Sequence, residues 1–92
     1  MKSIIQDECK QDYCYICGKH ADALHHCWHG SANRKLADKD GLTVKLCNIC
    51  HMNLHDNGIF DRDLQRIAEE RWIEHYQKTE DDFRKRYGKS VL

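Results

Sequence analysis

Leu42-Thr43-Val44-Lys45-Leu46 alternates apolar and polar side chains around β-branched residues, the pattern of a half-buried strand. Ala23 to Trp28 reads as another strand, earlier in the chain. Ser31 to Gly41 between them reads as a turn-rich connector with a single helical turn at Asn33–Ala37. Asn48 to Asp56 predicts a short helix stopped by Asn57-Gly58, where glycine suits the left-handed position after a helix. Asp61 is expected to cap a longer helix, whose apolar residues Leu64, Ile67, Ala68, Trp72 and Tyr76 recur close to the 3.6-residue period. Thr79 with Asp82 resembles a capping box for a last helix through Tyr87, closed by Gly88. Residues 1–12 are polar, with little to bury, and read as a flexible tail. The expected organisation is that tail, a core over residues 13–60 and a helical extension over 61–92 that packs on the core. The class is α+β, and the charged faces of the last helices read as solvated surface.

Composition makes this core thin. Ninety-two residues form one small domain, which buries only about 60–65% of its unfolded surface. Two Trp, two Phe and four Tyr stand against a chain that is 33% charged, so a staple is expected. Six cysteines offer either disulfides or metal ligands. Disulfides need an oxidising compartment. The opening MKSIIQDECKQDY has no apolar run of signal-peptide length, and no stretch approaches the ~20 apolar residues of a membrane span. The expectation is a cytoplasmic, reduced, metal-stapled chain that does not enter membranes. Fifteen basic and fifteen acidic residues give zero net charge, so simple attraction to nucleic acid is not advertised. Bound metals would change that locally. Zinc on four thiolates leaves −2, and a divalent ion on neutral histidines adds +2.

The cysteines carry the first chemistry. Cys14-Tyr15-Ile16-Cys17 precedes Gly18, and Cys47-Asn48-Ile49-Cys50 follows twenty-nine residues after Cys17. Four thiolates at about 2.3 Å satisfy one tetrahedral zinc completely and leave no open position. A two-residue gap lets a tight turn aim both sulfurs at one point. A redox role for either pair needs a βαβ setting that the pattern lacks. Cys27 reads as a small buried apolar residue, and Cys9 as part of the tail.

A saturated zinc leaves the histidines unexplained. His25 and His26 are neighbours on the first strand, so they point to opposite faces and need not share a role. His51 and His55 are four apart on the short helix, share one face and can grip one ion. Two or three imidazoles on an otherwise open ion make a catalytic site rather than a structural one. His20 has no assigned role, His29 reads as an exposed loop residue in preference to a place near the site, and His75 as surface.

Cys14-x-x-Cys17-Gly18, Leu24-His25-His26 and Leu46-Cys47-x-x-Cys50-His51 with His55 together resemble the HNH, or ββα-metal, endonucleases. The resemblance covers about residues 14–60. The chain is further similar to small phage proteins related to recombination-enhancement nucleases, through Ala32-Asn33-Arg34-Lys35-Leu36 and the tail Asp82-Phe83-Arg84-Lys85-Arg86-Tyr87-Gly88. The resemblance implies a small zinc-stapled ββα-metal fold, treble-clef-like, that hydrolyses DNA phosphodiester bonds. His26 is then the general base, and His25, His51 and His55 hold a catalytic Mg²⁺, Mn²⁺, Ni²⁺ or Zn²⁺, an arrangement similar to that of the colicin DNases. Asn33 is the candidate for the family's middle asparagine, although many HNH enzymes carry it nearer the second strand, where this chain has Asp40-Gly41-Leu42. Arg34 or Lys35 is expected to hold a flanking phosphate. Expected partners are double-stranded or structured DNA, a host or phage protein, and a second copy of the chain. The rival expectation is a non-catalytic treble-clef zinc module for nucleic acid or protein, which needs only the four cysteines. A third is an adaptor that uses the Trp72–Tyr76 helix face, although that spacing fits core packing better.

Overall fold

The computed structural model describes residues 3–10 and 12–92. It contains strand β1 (Ala23–His26), helix α1 (Ser31–Asp40), strand β2 (Thr43–Leu46) and helices α2 (Asn48–Asn57), α3 (Asp61–Tyr76) and α4 (Glu80–Tyr87). A short 3-10 turn at Glu8–Lys10 precedes them. The class is α+β, with the two strands antiparallel. His25 lies opposite Val44 and His26 opposite Thr43. β1 stops at His26, short of the expected Trp28, but Cys27 N–H still donates to Leu42 O at 3.0 Å. The chain then turns inward and buries Trp28 completely.

The connector between the strands is a ten-residue helix, not a loop with one helical turn. Ser31, Asn33 and Asp38 suggested turns, but Ala32, Arg34, Lys35, Leu36, Ala37 and Lys39 all favour helix, and neither Gly nor Pro interrupts them. Gly30 and Gly41 bracket it. Gly41 takes the left-handed conformation (φ 79°) and its N–H returns to Ala37 O. α2 ends as expected at Gly58. Asp61 does not cap α3. Phe60 occupies that place with φ 66° and no side-chain bond, while Asp61 is the first helical residue. The Thr79–Asp82 capping box forms reciprocally, and the Thr79 N–H and hydroxyl hold the Asp82 carboxyl below its usual range.

The core has an aromatic centre and draws on both halves of the chain. Trp28 packs against Phe83 and Tyr87, with ring centroids 5.0 and 5.7 Å apart, and Trp72 meets Phe83 at 5.3 Å. Leu42, Val44, Leu46, Leu54, Leu64 and Ala68 are among the aliphatic residues buried with them. Of the expected α3 face, Leu64, Ala68 and Trp72 are buried, and Ile67 and Tyr76 are half-buried. Asp40, at the end of α1, collects the C-terminal helices. Its carboxylate accepts from Trp72 Nε1 at 2.9 Å, from Arg86 Nε and Nη2 at 2.6 and 2.8 Å, and from the Tyr87 hydroxyl at 2.7 Å. Glu69, fully buried, accepts from Val91 N–H at 2.8 Å and the Ser90 hydroxyl at 2.5 Å, which ties down the last residues.

Within the tail expected over residues 1–12, residues 3–6 pack on the core, while Asp7, Cys9, Lys10 and Asp12 are exposed. Ile5 is buried in the core, a burial worth about 1.5–3 kcal/mol. Ile4 N–H donates to Gly41 O at 2.9 Å and the Ser3 hydroxyl to Thr43 O at 2.5 Å. The Gln6 side chain accepts from Lys45 N–H and donates to Tyr13 O, both at 2.8 Å. Met1, Lys2 and Gln11 lie outside the described residues. Ile4 and Ile5 were the apolar signal for this docking, which the segment's polar average concealed. Among the described residues no helix is long and apolar enough to cross a membrane.

Candidate metal centres

The chain folds back at Gly18, whose φ of 80° suits glycine and whose N–H bonds Cys14 O at 2.9 Å. This knuckle points Cys14 and Cys17 toward the end of β2. There Cys47 caps α2, its sulfur accepting from Cys50 N–H at 3.5 Å. The four sulfurs lie within 4.8 Å of one another, with Cys17 Sγ and Cys47 Sγ 3.6 Å apart. Tetrahedral zinc with bonds of about 2.3 Å sets sulfurs about 3.8 Å apart, so the cluster fits the ion. The chemistry of the donors agrees. Burial raises the Cys14 pKa, but the backbone N–H groups of Cys17, Cys47 and Ile16 and the Cys17 thiol outweigh it and bring the thiol down to about 6. Burial, then hydrogen bonds with the Cys47, Cys17 and Cys14 thiols, push Cys50 strongly up. Once one sulfur is ionised its neighbours resist losing their own protons, so four thiolates this close would need a cation among them.

The second cluster joins β1 to α2. His25 points inward from the strand and is only 2% exposed, while apolar Leu24 beside it is 43% exposed. His51 and His55 reach it from one face of α2. The ring nitrogens of the three lie within 4.8 Å of one another, and His51 Nε2 and His55 Nε2 are 3.0 Å apart. Burial, then the neighbouring His51, His29 and His55, lowers His25 to about 4. Burial and His55 lower His51. These shifts favour neutral imidazoles with free lone pairs, the form that binds metal. His25 Nε2 is buried without a hydrogen-bond partner, a state that costs about 1–3 kcal/mol and that a ligated ion relieves. The residues present therefore fit a divalent ion.

The histidines line an open hollow of about 210 Å³ with Leu24, His26, His29 and Arg34. A second hollow of about 460 Å³ adjoins it, lined by His26, Ser31, Arg34, Lys35 and Asp38. His26 and Arg34 belong to both. His26 Nε2 lies 3.5 Å from Asp38 Oδ1. Asn33 is half-buried on α1 and forms part of neither wall, so the structure does not bring this expected catalytic residue to the histidines. The unexpected helical form of α1 explains this, because Arg34 and Asn33 then face different ways.

His29 is an exposed loop residue, as read from the sequence, and it also lines the hollow. Its ring lies 5.8 Å from His25 and 6.1 Å from His55, and its Nε2 is 2.6 Å from Asp61 Oδ1. Asp61 is thirty-two positions away, so local pattern carried no signal for the pair. Cys27 is fully buried, with its thiol pushed up to about 12 by that burial, and Cys9 is exposed. His20 forms an isolated bridge with Tyr13, and His75 is exposed beside Tyr76.

No family model matches this chain, and no solved structure does. The chain is similar to a mitochondrial DNA mismatch repair protein MutS homolog from Sarcophyton glaucum, 43% identical over 53 residues. The match covers 52% of this chain and 5% of that relative.

Proposed function

We propose that this chain is an HNH-type, metal-dependent DNA endonuclease with a separate structural zinc on Cys14, Cys17, Cys47 and Cys50. The observation that carries the reading is the convergence of His25, His51 and His55 in an open hollow whose wall also holds His26 and Arg34. A purely structural zinc module has no use for that second cluster. The relative's name supports DNA as the substrate, because it describes a protein of DNA mismatch repair.

His25, His51 and His55 would hold the divalent ion, which would supply Lewis-acid stabilisation to a phosphate oxygen. The chain's own residues do the rest. His26, half-buried at the junction of the two hollows, takes a proton from the attacking water. Asp38 helps hold its ring. Arg34 and Lys35 give charged donors to the phosphates that flank the cut. The products are a 5′ phosphate and a 3′ hydroxyl.

The test is nicking of supercoiled plasmid in Mg²⁺, Mn²⁺ or Ni²⁺. Wild type nicks, and His26→Ala is slower by about 10²–10⁴-fold while it keeps its zinc. Wild type that carries zinc and nicks with none of these metals overturns the enzyme reading and leaves the binding module.

A further inference from the structure

Beside the histidine hollow the chain exposes two large apolar side chains in succession. Ile59 is 45% exposed and Phe60 49%. They occupy the short link between α2 and α3, directly before Asp61, whose carboxylate meets His29 of the hollow wall at 2.6 Å. Backbone bonds hold the link at both ends. Gly58 N–H donates to Leu54 O at 2.9 Å, Ile59 N–H to Asn53 O at 3.4 Å, and Leu64 N–H to Phe60 O at 2.9 Å. Phe60 stands at φ 66°, an outlying angle for so bulky a residue. Gln77 shares that conformation, but as a helix C-cap, where it is common. At Phe60 the strained backbone holds a ring half in solvent, where it adds little to the core. An outlier kept without a packing reward points to function.

We propose that Ile59 and Phe60 form an apolar wedge that enters duplex DNA beside the cut phosphate and unstacks a base step there. The inference rests on the nuclease reading. Leu24 is the one apolar residue that lines the hollow, so the hollow suits a phosphate and leaves the adjoining sugar and bases to side chains beyond its rim. Proteins that kink DNA from the groove insert such side chains between bases, Phe and Ile among them. Charge agrees with a nucleic-acid occupant. Arg62 and Arg66 follow the wedge on one exposed stripe of α3, four apart, where like charges repel. Arg62 also sits in the first turn, where the helix dipole disfavours a cation. Among the described residues neither arginine enters an ion pair. A phosphate backbone alongside would relieve both. A protein partner fits the pair less well, since a stable interface engages about 20–30 residues a side.

The test is the bending of a short duplex that carries a fluorophore at each end and one TA step, the kind most easily kinked. His26→Ala in Mg²⁺ serves as the parent, because it cuts too slowly to disturb the measurement. Energy transfer between the ends should rise as the parent binds, as a kink of about 20–90° requires. Phe60→Gly on that parent should bind about ten- to hundredfold more weakly and give no rise at saturation. Its thermal melt should be no lower than the parent's, because Gly adopts φ 66° freely. Phe60→Met, which keeps an apolar wedge, should retain the rise. Arg62→Ala should retain it too, but lower the salt slope of binding by about 1. No rise with the parent, a rise that survives Phe60→Gly, or an affinity unchanged by it overturns the wedge, and plasmid nicking by wild type then still upholds the nuclease reading. Wild type that neither binds nor nicks DNA overturns both.

Discussion

His25 sits where a strand normally places an apolar side chain. Alternation along β1 puts it in the core and turns Leu24 outward, the reverse of what hydrophobicity alone selects. Such a breach of pattern is expected where function outranks stability. It has a measurable consequence in protein whose histidine hollow is free of metal. The folded pKa of about 4 lies below the ordinary 6.5, so the unfolded chain binds the extra proton. Stability is therefore full above pH ~6.5 and falls as pH drops toward 4, by about 3 kcal/mol at most. Urea unfolding from pH 7.5 to 4.5 should show this fall in wild type and a flatter profile in His25→Gln, because the difference removes every other titrating group. Parallel profiles would contradict the assignment. The doublet itself was legible in sequence, but which histidine faced inward depended on the register with β2.

At the scale of elements, α1 and the C-terminal helices meet through one carboxylate. Asp40 ends α1, is buried, and accepts four hydrogen bonds from three side chains of α3 and α4. Arg34, Lys35 and Asp38 ride on the same helix, so this clamp also steadies one wall of the second hollow. Asp40→Asn keeps the shape but removes the charge opposite Arg86. The expected loss is about 2 kcal/mol, moderated because Arg86 is half-exposed. That corresponds to a midpoint lowered by roughly 10 °C in a thermal melt. An unchanged melt would show that the helices are held by aromatic packing alone. The pattern of the sequence placed α2, α3 and α4 well. It missed the length of α1, because Ser, Asn and Asp signal turns locally yet are tolerated at helix ends and on solvated faces. It also treated Asp40 as part of a connector, since nothing near it in sequence announces partners more than thirty residues away.

The whole molecule has a core assembled from both ends of the chain and two candidate metal-binding clusters that share one short helix. Cys47 and Cys50 belong to one cluster, His51 and His55 to the other, so whatever fixes the first turn of α2 aims both. The two clusters should nevertheless separate by experiment. A structural zinc is worth about 10 kcal/mol or more, comparable to the whole stability of a small domain. Cys47→Ser should therefore lose zinc and its cooperative unfolding transition. Replacement of His25, His51 and His55 together by Ala should leave one zinc per chain and a cooperative transition, while wild type binds a second divalent ion. Metal analysis after dialysis and a thermal melt check both. Retention of fold and zinc by Cys47→Ser would refute the structural role of that cluster.

The members of both clusters were readable in the chain, because Cys-x-x-Cys and His-x-x-x-His are local spacings that a turn and a helix convert directly into geometry. Capping and glycine signals are equally local, which is why the ends of α2 and α4 were legible. Only the tertiary structure decided what lies around those ligands. Folding brought Asp61 to His29 and the α4 aromatics to Trp28, docked Ile5 in the core, and left Asn33 outside the hollows. These outcomes depend on which surfaces the helices bury against one another. That choice is made by packing across the whole chain, and short-range spacing carries no record of it.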